Sequence, residues 1–265
     1  MLKNVFLIGG KIIQKGVFSM SYPRFFDDFE LLEGNTVVIG GESAQHISRS
    51  LRMKSGEKII VCDGSEKEYE CVLDAFTSDT VTAKIVDVCR NVSEPTYKAI
   101  VYQACPKSDK MDTIIQKAVE LGAHGIVCFL SDRCIARYDE KGFEKKCARW
   151  QKIALEAAKQ SGRGYVPFVR WLPDLKSVIT EIKECGNGFM CYEDEEALTL
   201  KEFVSLSQNE ADYAFIIGSE GGFSEKEAQM CRDSGIKTVG LGKRILRTET
   251  ASGYVLSCLS YEKEL

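Results

Sequence analysis

The chain has 265 residues, a formal net charge of −4, 28% charged residues and 44% hydrophobic residues. This composition excludes a disordered or fibrous protein, and the length suffices for one large domain or two medium ones. No apolar run approaches the roughly 20 residues of a membrane span, and two histidines argue against a histidine-rich metal centre. We therefore expect neither a membrane segment nor a bound metal.

Residues 1–19 precede a second methionine, Met20, which begins the segment MSYPRFF. Their apolar stretch is short, Lys11 and two glycines interrupt it, and no small-residue cleavage site follows. We expect no signal peptide and interpret residues 1–19 as an N-terminal extension.

Eleven cysteines are present, and no two of them form a C-x-x-C pair. Most lie in apolar runs such as IIVCDG and GIVCFL, a setting typical of buried thiols. The pattern predicts reduced core thiols in a cytoplasmic protein, with no disulfide framework and no zinc site. A catalytic thiol is the alternative.

Residues 20–93 are rich in short β-type runs, namely TVVIG, EKIIVCDG, KEYECVLDAF and TVTAKIVDV. Strands at this close spacing, separated by turn sequences such as TSDT, predict a small barrel or sandwich. One helix is predicted at ESAQHISRSLRM, since Ala44, Ile47 and Leu51 share a face. NVSEPTY is the predicted linker, so we expect a first domain at 20–93 and a second at 94–265.

From residue 94 onward the pattern alternates between strands and helices. The predicted strands are KAIVYQAC, GIVCFL, FMCYE, DYAFIIG and TVGLG. The predicted helices are DKMDTIIQKAVELG, FEKKCARWQKIALEAAKQSG, SEKEAQMCRDSG and a last helix from about Thr248. Such alternation predicts an α/β domain with a mostly parallel sheet.

Charge is distributed unevenly along the chain. Residues 20–93 carry 8 basic and 13 acidic side chains, a balance of −5, whereas residues 132–170 carry 10 and 5, a balance of +5. The simpler interpretation of such a basic stretch is a helix face that contacts solvent. Contact with a polyanion is the sharper hypothesis, and Arg49, Arg52 and Lys54 form a second cluster to which it applies.

Two predicted strands late in the chain each run into a glycine loop. In FIIGSEGGFSEKE the strand meets Gly218 and then Gly221–Gly222, and Ser224 with Glu227 forms a capping box for the next helix. Adjacent glycines let the backbone approach a ligand, and open α/β sheets bind ligands beyond the carboxyl ends of their strands. The loop matches neither a dinucleotide nor a P-loop motif, so NAD and ATP are not favoured. An ordinary tight turn is the alternative.

The second glycine loop lies in TVGLGKRILRTETASGYV, where basic and apolar residues alternate after Gly242. Apolar residues close to glycines suit an adenine face and a thioether, whereas a basic loop with a helix cap is the simpler interpretation. A third polar segment, CPKSDKMD, opens a helix, and its Lys107 and Lys110 face either solvent or an anionic ligand.

Together these segments resemble the bacterial small-subunit ribosomal RNA uridine N3-methyltransferases of the SPOUT superfamily. The resemblance covers residues 20 to about 263. It is carried by IGSEGGFSEKE and LGKRILRTETA above all, and by HISRSLRMKSGEKIIVCDG, PKSDKMDTIIQKAVELG, SDRCIARYDEK and RWQKIALEAAKQSGRGYVP. It implies an N-terminal PUA-like β-barrel that helps to bind RNA. It also implies a C-terminal SPOUT-type α/β domain with a trefoil knot, an S-adenosylmethionine site in the knot and an obligate homodimer.

The function that the resemblance implies is methylation of N3 of one uridine in 16S ribosomal RNA, within the small ribosomal subunit. By position, the cofactor-binding residues would be Gly218, Glu220, Gly221, Gly222, Leu241, Gly242, Arg244, Ile245, Leu246, Thr250 and Ala251. Arg247 and Glu249 would be catalytic: Arg247 lowers the cost of deprotonating uracil, and Glu249 accepts the proton or holds Arg247. Ser219 stands where the family usually has Pro, for which we expect a modest effect on cofactor affinity.

RNA contacts are expected from cationic side chains that meet phosphates. The candidates are Arg24, Arg49, Arg52, Lys54, Arg133 and Arg163. Two other functions stay open from the sequence: a SPOUT enzyme that acts on another ribosomal or transfer RNA nucleotide, and a non-catalytic RNA-binding or assembly protein of the same fold.

Overall fold

The computed structural model describes residues 22–26, 35–64, 67–136, 138–207 and 212–265, and the backbone of three short strands before residue 33. The chain divides into two compact units. The first comprises Met1–Glu94 and Gly162–Tyr165, and the second comprises Pro95–Ser161 and Val166–Leu265. The division falls inside the predicted linker, whereas the return of Gly162–Tyr165 to the first unit was not predicted.

The first unit is built on β-strands. In chain order they are β1 (Phe6–Ile8), β2 (Lys11–Ile13), β3 (Arg24–Phe26), β4 (Glu30–Leu32), β5 (Thr36–Ile39), β6 (Lys58–Cys62), β7 (Lys67–Phe76) and β8 (Val81–Arg90). β1 pairs antiparallel with β2, inside the segment interpreted as an extension. The other strands form one sheet in the order β3-β6-β7-β8-β5-β4, in which β3 runs parallel to β6 and the other described pairs are antiparallel.

The predicted helix of the first unit is present but irregular. It consists of α1 (Gly41–Gln45) followed by a π-helical turn at His46–Ser50. Ala44 and Ile47 are buried as predicted, but Leu51 is 42% exposed. The prediction that Leu51 shares a buried face with Ala44 and Ile47 is wrong. A π-turn takes more residues than an α-turn, so the spacing of 3.6 residues per turn does not hold there.

The hydrophobic core of the first unit surrounds β6. Ile59 and Val61 pack with Phe25, whereas Ile60 and Cys62 lie in a second cluster. Alternate side chains of a strand point to opposite faces, so β6 is buried on both faces. This explains why EKIIVCDG is apolar without interruption.

The second unit alternates strands and helices, as predicted. Its elements are β9 (Ala99–Ala104), α2 (Lys110–Glu120), β10 (Gly125–Phe129), α3 (Glu140–Ser161), β11 (Phe168–Leu172), α4 (Leu175–Ile182), β12 (Asn187–Cys191), α5 (Leu200–Leu206), β13 (Tyr213–Ile217), α6 (Glu225–Asp233), β14 (Lys237–Val239) and α7 (Thr248–Glu264). β11, α4 and α5 were not predicted. Each has eight residues or fewer, which is too short for a periodic pattern to stand out.

The strands of the second unit form one parallel sheet in the order β11-β10-β9-β13-β12-β14. Strand order reverses between β9 and β13, and such a switch point creates a crevice at the carboxyl edge of a sheet. Both glycine loops follow strands of this half, after β13 and β14. The trefoil knot implied by the resemblance stays a prediction.

The cysteines are free thiols, and seven of the eleven are buried. Burial raises the pKa of Cys62 to about 12 and that of Cys147 to about 11. Thiols with such pKa values stay protonated at neutral pH and are poor nucleophiles. Cys62 behaves as the core thiol that the sequence predicts, whereas Cys147 is half-buried. No described helix is long and apolar enough to cross a membrane.

Candidate cofactor site

A cleft opens in the second unit where β12, β13 and β14 end. It contains about 660 Å³ of space between protein atoms, including its open mouth. It is lined by Cys191, Tyr192, Glu193, Ile217, Gly218, Ser219, Gly222, Phe223, Leu241, Gly242, Lys243, Arg244, Ile245, Leu246, Thr248 and Ala251. The two glycine loops found in the sequence therefore share one site.

The first loop is a tight turn that requires glycine. The N–H of Gly222 donates to the carbonyl oxygen of Ser219 at 3.0 Å, and Gly222 has a φ of 62°. A Cβ at Gly222 would lie 2.4 Å from Oε1 of Glu193, and one at Gly218 would lie 3.0 Å from Cα of Gly222. The turn can close beside the cleft because neither residue has a side chain.

Arg133 supports the outer side of this turn. Its Nη1 donates to the carbonyl oxygen of Gly221 at 2.9 Å. A Cβ at Gly221 would lie 2.9 Å from Cβ of Arg133, which accounts for the second glycine. The N–H of neighbouring Asp132 donates to Glu227 in the capping box of α6 at 2.9 Å. Arg133 is exposed, but its guanidinium is used by the cofactor loop, which weakens its assignment as a phosphate contact.

Gln103 of β9 ties the two loops together. Its Nε2 donates to the hydroxyl of Thr248 at 2.8 Å and to the carbonyl oxygen of Gly218 at 3.2 Å, and the Thr248 hydroxyl donates to the same carbonyl at 2.6 Å. Gln103 is fully buried. The start of α7 is thereby fixed to the end of β13. Sequence analysis missed Gln103, although a single polar residue in the apolar strand AIVYQA is a signal.

Lys110 joins two of the carboxylates that the sequence assigned to the site. Its Nζ lies 3.1 Å from Oε1 of Glu220 and 3.2 Å from Oε2 of Glu249. The N–H of Lys107 also donates to Glu220, at 3.2 Å. The backbone N–H of Glu249 and the Lys110 ammonium lower the pKa of Glu249. Burial alone would raise the pKa of Glu220, but hydrogen bonds from the backbone and Lys110 outweigh it and lower that pKa too.

Arg247 stands immediately before α7, at its N-cap. Its side chain is exposed, and the described residues provide no carboxylate within ion-pair distance of its guanidinium. Glu249 was expected to accept a proton or to hold Arg247. In the structure its ion partner is Lys110 instead.

Eight of the predicted cofactor-binding residues line the cleft: Gly218, Gly222, Leu241, Gly242, Arg244, Ile245, Leu246 and Ala251. Glu220, Gly221 and Thr250 do not. Glu220 turns toward Lys110, and Gly221 faces Arg133. Thr250 is exposed in the first turn of α7, where its N–H donates to the carbonyl oxygen of Arg247 at 2.8 Å.

Sequence analysis missed the wall of the cleft that follows β12. Cys191, Tyr192 and Glu193 belong to it, and the Glu193 carboxylate is exposed beside Gly222. The signal was present, since FMCYE was predicted as a strand and a charged residue at its end lies at the carboxyl edge of the sheet.

Two predicted RNA-binding arginines are buried in the first unit, which corrects that expectation. Arg24 is 9% exposed, and its guanidinium donates to both carboxylate oxygens of Glu68. Arg163 is 3% exposed and lies 2.5 Å from Glu94. Buried, paired charges of this kind are structural, because a phosphate could reach them only after the ion pairs had broken.

The other cluster of the first unit fits its predicted role better. Arg49, Arg52 and Lys54 are exposed, and no described carboxylate forms an ion pair with their side chains. Arg52 adopts a φ of 53°, where the π-turn ends. Arg137, part of the basic stretch 132–170, lies outside the described residues.

The site fits an adenosyl cofactor in three respects. Glycine residues in the turns leave the walls of the cleft free of side chains at those positions, and apolar side chains from Leu241, Ile245 and Leu246 line it. Two polar atoms near the cleft, Oε1 of Gln103 and Oγ of Ser219, are buried without a hydrogen bond from the described residues. In the same described part of the chain, no three histidine, cysteine or acidic side chains are grouped to hold a metal ion.

The β-rich unit and the parallel-sheet unit with its glycine-rich cleft both match families of RNA-modifying enzymes. Residues 93–260 match the family model of an RNA methyltransferase domain, and residues 39–86 match that of an RNA methyltransferase PUA domain. The chain belongs to this family of RNA methyltransferases, and within it to the ribosomal RNA small subunit methyltransferase E group.

Among characterised relatives, ribosomal RNA small subunit methyltransferase E of Bacillus subtilis is 35% identical over 240 residues, which cover 89% of this chain and 94% of the relative. The Aquifex aeolicus protein of the same name is 29% identical and covers 85% and 94%. The Neisseria gonorrhoeae enzyme of that name, solved bound to S-adenosyl methionine, matches with a TM-score of 0.79 at 30% identity, over 91% of this chain and 98% of that one. A structure described only as a hypothetical protein matches with a TM-score of 0.84 at 33% identity, over the same shares.

Proposed function

We propose that this protein uses S-adenosylmethionine to methylate N3 of one uridine in 16S ribosomal RNA, and that it acts as a cytoplasmic homodimer on the small ribosomal subunit. The observation that carries the proposal is the exposed, unpaired Arg247 at the end of a loop that lines the cofactor cleft. The names of the relatives support small-subunit ribosomal RNA as the substrate, and the Neisseria structure supports the cofactor.

The glycine loops and the apolar loop Leu241–Leu246 would hold the cofactor, with polar contacts from Ser219 and Glu193. Bound S-adenosylmethionine would supply an electrophilic methyl carbon. Orientation of the two reacting atoms is then the first task of the protein.

Arg247 supplies the electrostatic part of the reaction. Uracil N3 carries a proton at neutral pH and attacks only as that proton leaves, so negative charge develops on the neighbouring carbonyl oxygens. A guanidinium beside these oxygens stabilises that charge, an effect worth about 10²–10³-fold in rate for a single donor. The N3 proton would pass to water as N3 takes the methyl group, whose bond to the cofactor sulfur would break.

Glu249 is ionised but is a weak base, because a carboxylate with a lowered pKa has little tendency to take a proton. We therefore assign Glu249 a positioning role at the start of α7 in preference to proton transfer. This proposal replaces both roles that the sequence left open, proton acceptor and holder of Arg247, because Glu249 pairs with Lys110.

An exposed apolar strip on α7 supports the homodimer. Tyr254 and Tyr261 are 41% and 71% exposed, and they border a groove with Leu200 and Val204 of α5. Exposed aromatic side chains at helical spacing are typical of protein interfaces.

The test is methyl transfer from labelled S-adenosylmethionine to small subunits that lack the modification, followed by mapping of the labelled nucleotide. Label on N3 of a single uridine is expected. Label on another nucleotide would replace the proposal with that of a different RNA methyltransferase. Cofactor binding without any transfer, by an intact dimer, would favour a non-catalytic assembly protein.

A further inference from the structure

Lys110 occupies an unusual place for a charged residue at the start of a helix. It is the first residue of α2, its side chain is 30% exposed, and its ammonium contacts carboxylates from two distant segments. Glu220 comes from the loop after β13, and Glu249 from the first turn of α7. One cation thus neutralises two anions beside the cofactor cleft.

Glu249 is a potential partner of Arg247. Glu249 follows Arg247 by two residues, and the charge of Arg247 contributes to the lowered pKa of Glu249. Both Glu220 and Glu249 stay ionised at neutral pH because their pKa values are lowered. An ionised carboxylate near a free guanidinium forms a strong, often bidentate pair with it. Yet Lys110, and not Arg247, pairs with them.

We propose that Lys110 is a positioning residue for methyl transfer: by holding Glu220 and Glu249, it keeps the Arg247 guanidinium free for the RNA substrate. The inference rests on the proposed function insofar as Arg247 acts on the substrate. It also explains why Oε2 of Glu249 is buried with the Lys110 ammonium as its partner, although no hydrogen bond of good geometry reaches it.

A lysine suits this role better than an arginine at the same place. An ammonium is a compact point charge with three donors, so it can bridge two carboxylates that approach from different directions. A guanidinium tends to take one carboxylate in a planar, bidentate geometry. We expect Lys110→Arg to retain the charge and to restore most, but not all, of the function that a neutral side chain loses.

The kinetic test compares Lys110→Met with wild type in single-turnover methyl transfer to unmodified small subunits. Capture of Arg247 should lower kcat by about 10- to 100-fold, which is less than the 10²–10³-fold expected for deletion of the group. Cofactor affinity, measured by calorimetry, should change less than about threefold, since Lys110 does not line the cleft. Lys107→Met removes a charge from the same loop but leaves the Glu220 contact of Lys107, which is made by its backbone N–H. This control should not reproduce the loss.

Glu249→Gln provides the decisive second variant. In the Lys110→Met background it removes the carboxylate that captures Arg247, and methyl transfer should recover at least about fivefold. A structural defect at the start of α2 would not be repaired by a change in α7. Wild-type kcat in Lys110→Met, or a double variant as slow as Lys110→Met alone, would overturn the inference.

A readout in the cofactor-free protein separates this inference from the proposed function. The Nε–Hε NMR signal of Arg247 should exchange rapidly with water in wild type and become protected in Lys110→Met. Protection should disappear again in Lys110→Met/Glu249→Gln. An Arg247 signal that is the same in all three proteins would overturn the inference, even if the target uridine were confirmed. Conversely, label on another nucleotide would refute the proposed target and leave this measurement valid.

Discussion

Buried polar groups are treated differently in the two units. In the first unit, Arg24 pairs with Glu68, Asn91 also donates to Glu68, and Arg163 pairs with Glu94. In the described part of the second unit, buried side-chain atoms without a hydrogen bond occur at Gln103, Ser219 and Glu249, all of them around the candidate cofactor site. An unpaired buried polar atom costs about 1–3 kcal/mol, and such atoms are concentrated where a ligand completes the site. The buried polar side chains named in the first unit pair with one another, whereas the three atoms without a hydrogen bond lie near the cleft of the second unit.

The largest effect is expected from breaking a satisfied pair. Arg24→Ala leaves the Glu68 carboxylate buried without its counter-ion, which should lower the free energy of unfolding by about 3–5 kcal/mol. Urea denaturation measures this. Arg49→Ala, an exposed control, should change it by less than about 0.5 kcal/mol. A loss for Arg24→Ala as small as that of the control would show that Arg24 is available to RNA after all.

Arg247 should show the opposite behaviour, because no described carboxylate depends on it. Arg247→Ala should lower kcat for methyl transfer by about 10²–10³-fold, with unfolding free energy and cofactor affinity close to wild type. Radiolabel transfer and calorimetry measure the two quantities. Full methylation rate in a variant that still binds cofactor would exclude Arg247 from the reaction.

Within the first unit, the exposed cluster of Arg49, Arg52 and Lys54 contrasts with the buried, paired arginines. The double variant Arg49→Ala/Arg52→Ala should weaken RNA binding and reduce the slope of log K against log salt by about 2, one for each phosphate contact. Its catalytic rate at saturating substrate should stay near wild type. Unchanged affinity and slope would remove this cluster from the RNA interface.

Prediction from the sequence succeeded for local motifs and failed for pairs of residues that are far apart in the chain. Both glycine loops were found because each depends on its own few residues, such as Gly221 and Gly222 at the end of a long apolar strand. Long-range pairs were not found: Arg24 meets Glu68 at a separation of 44 residues, and its Nη1 reaches the carbonyl oxygen of Arg163 at a separation of 139. A local charge count assigns such arginines to the surface, since nothing near them in the chain indicates burial.

The short elements were not predicted from the sequence, for a related reason. α5 begins with the capping box Thr199–Glu202, a signal legible in the sequence, yet it has only seven residues and no long apolar stripe. Lys110 was singled out as polar, but its two carboxylates lie more than one hundred residues away. The identity of the site was therefore predictable from local motifs, whereas its charge arrangement required the fold.

The smallest effect is expected at Ser219, where the family usually has Pro. The Ser219 hydroxyl is buried without a hydrogen bond, and the backbone of Ser219 forms an antiparallel bridge with Gly222, in which proline would keep the carbonyl oxygen but lose the N–H. Ser219→Pro should therefore change the free energy of unfolding by less than about 1 kcal/mol, because restriction of the unfolded chain stabilises the protein whereas loss of the bridge N–H destabilises it. If the hydroxyl serves the cofactor, affinity should fall in spite of the stiffer loop, and Ser219→Ala should fall with it. If affinity rises in the proline variant and stays constant in the alanine variant, the Ser219 hydroxyl does not serve the cofactor, and Oε1 of Gln103 remains as the buried polar atom near the site that has neither a hydrogen bond nor an ion pair among the described residues.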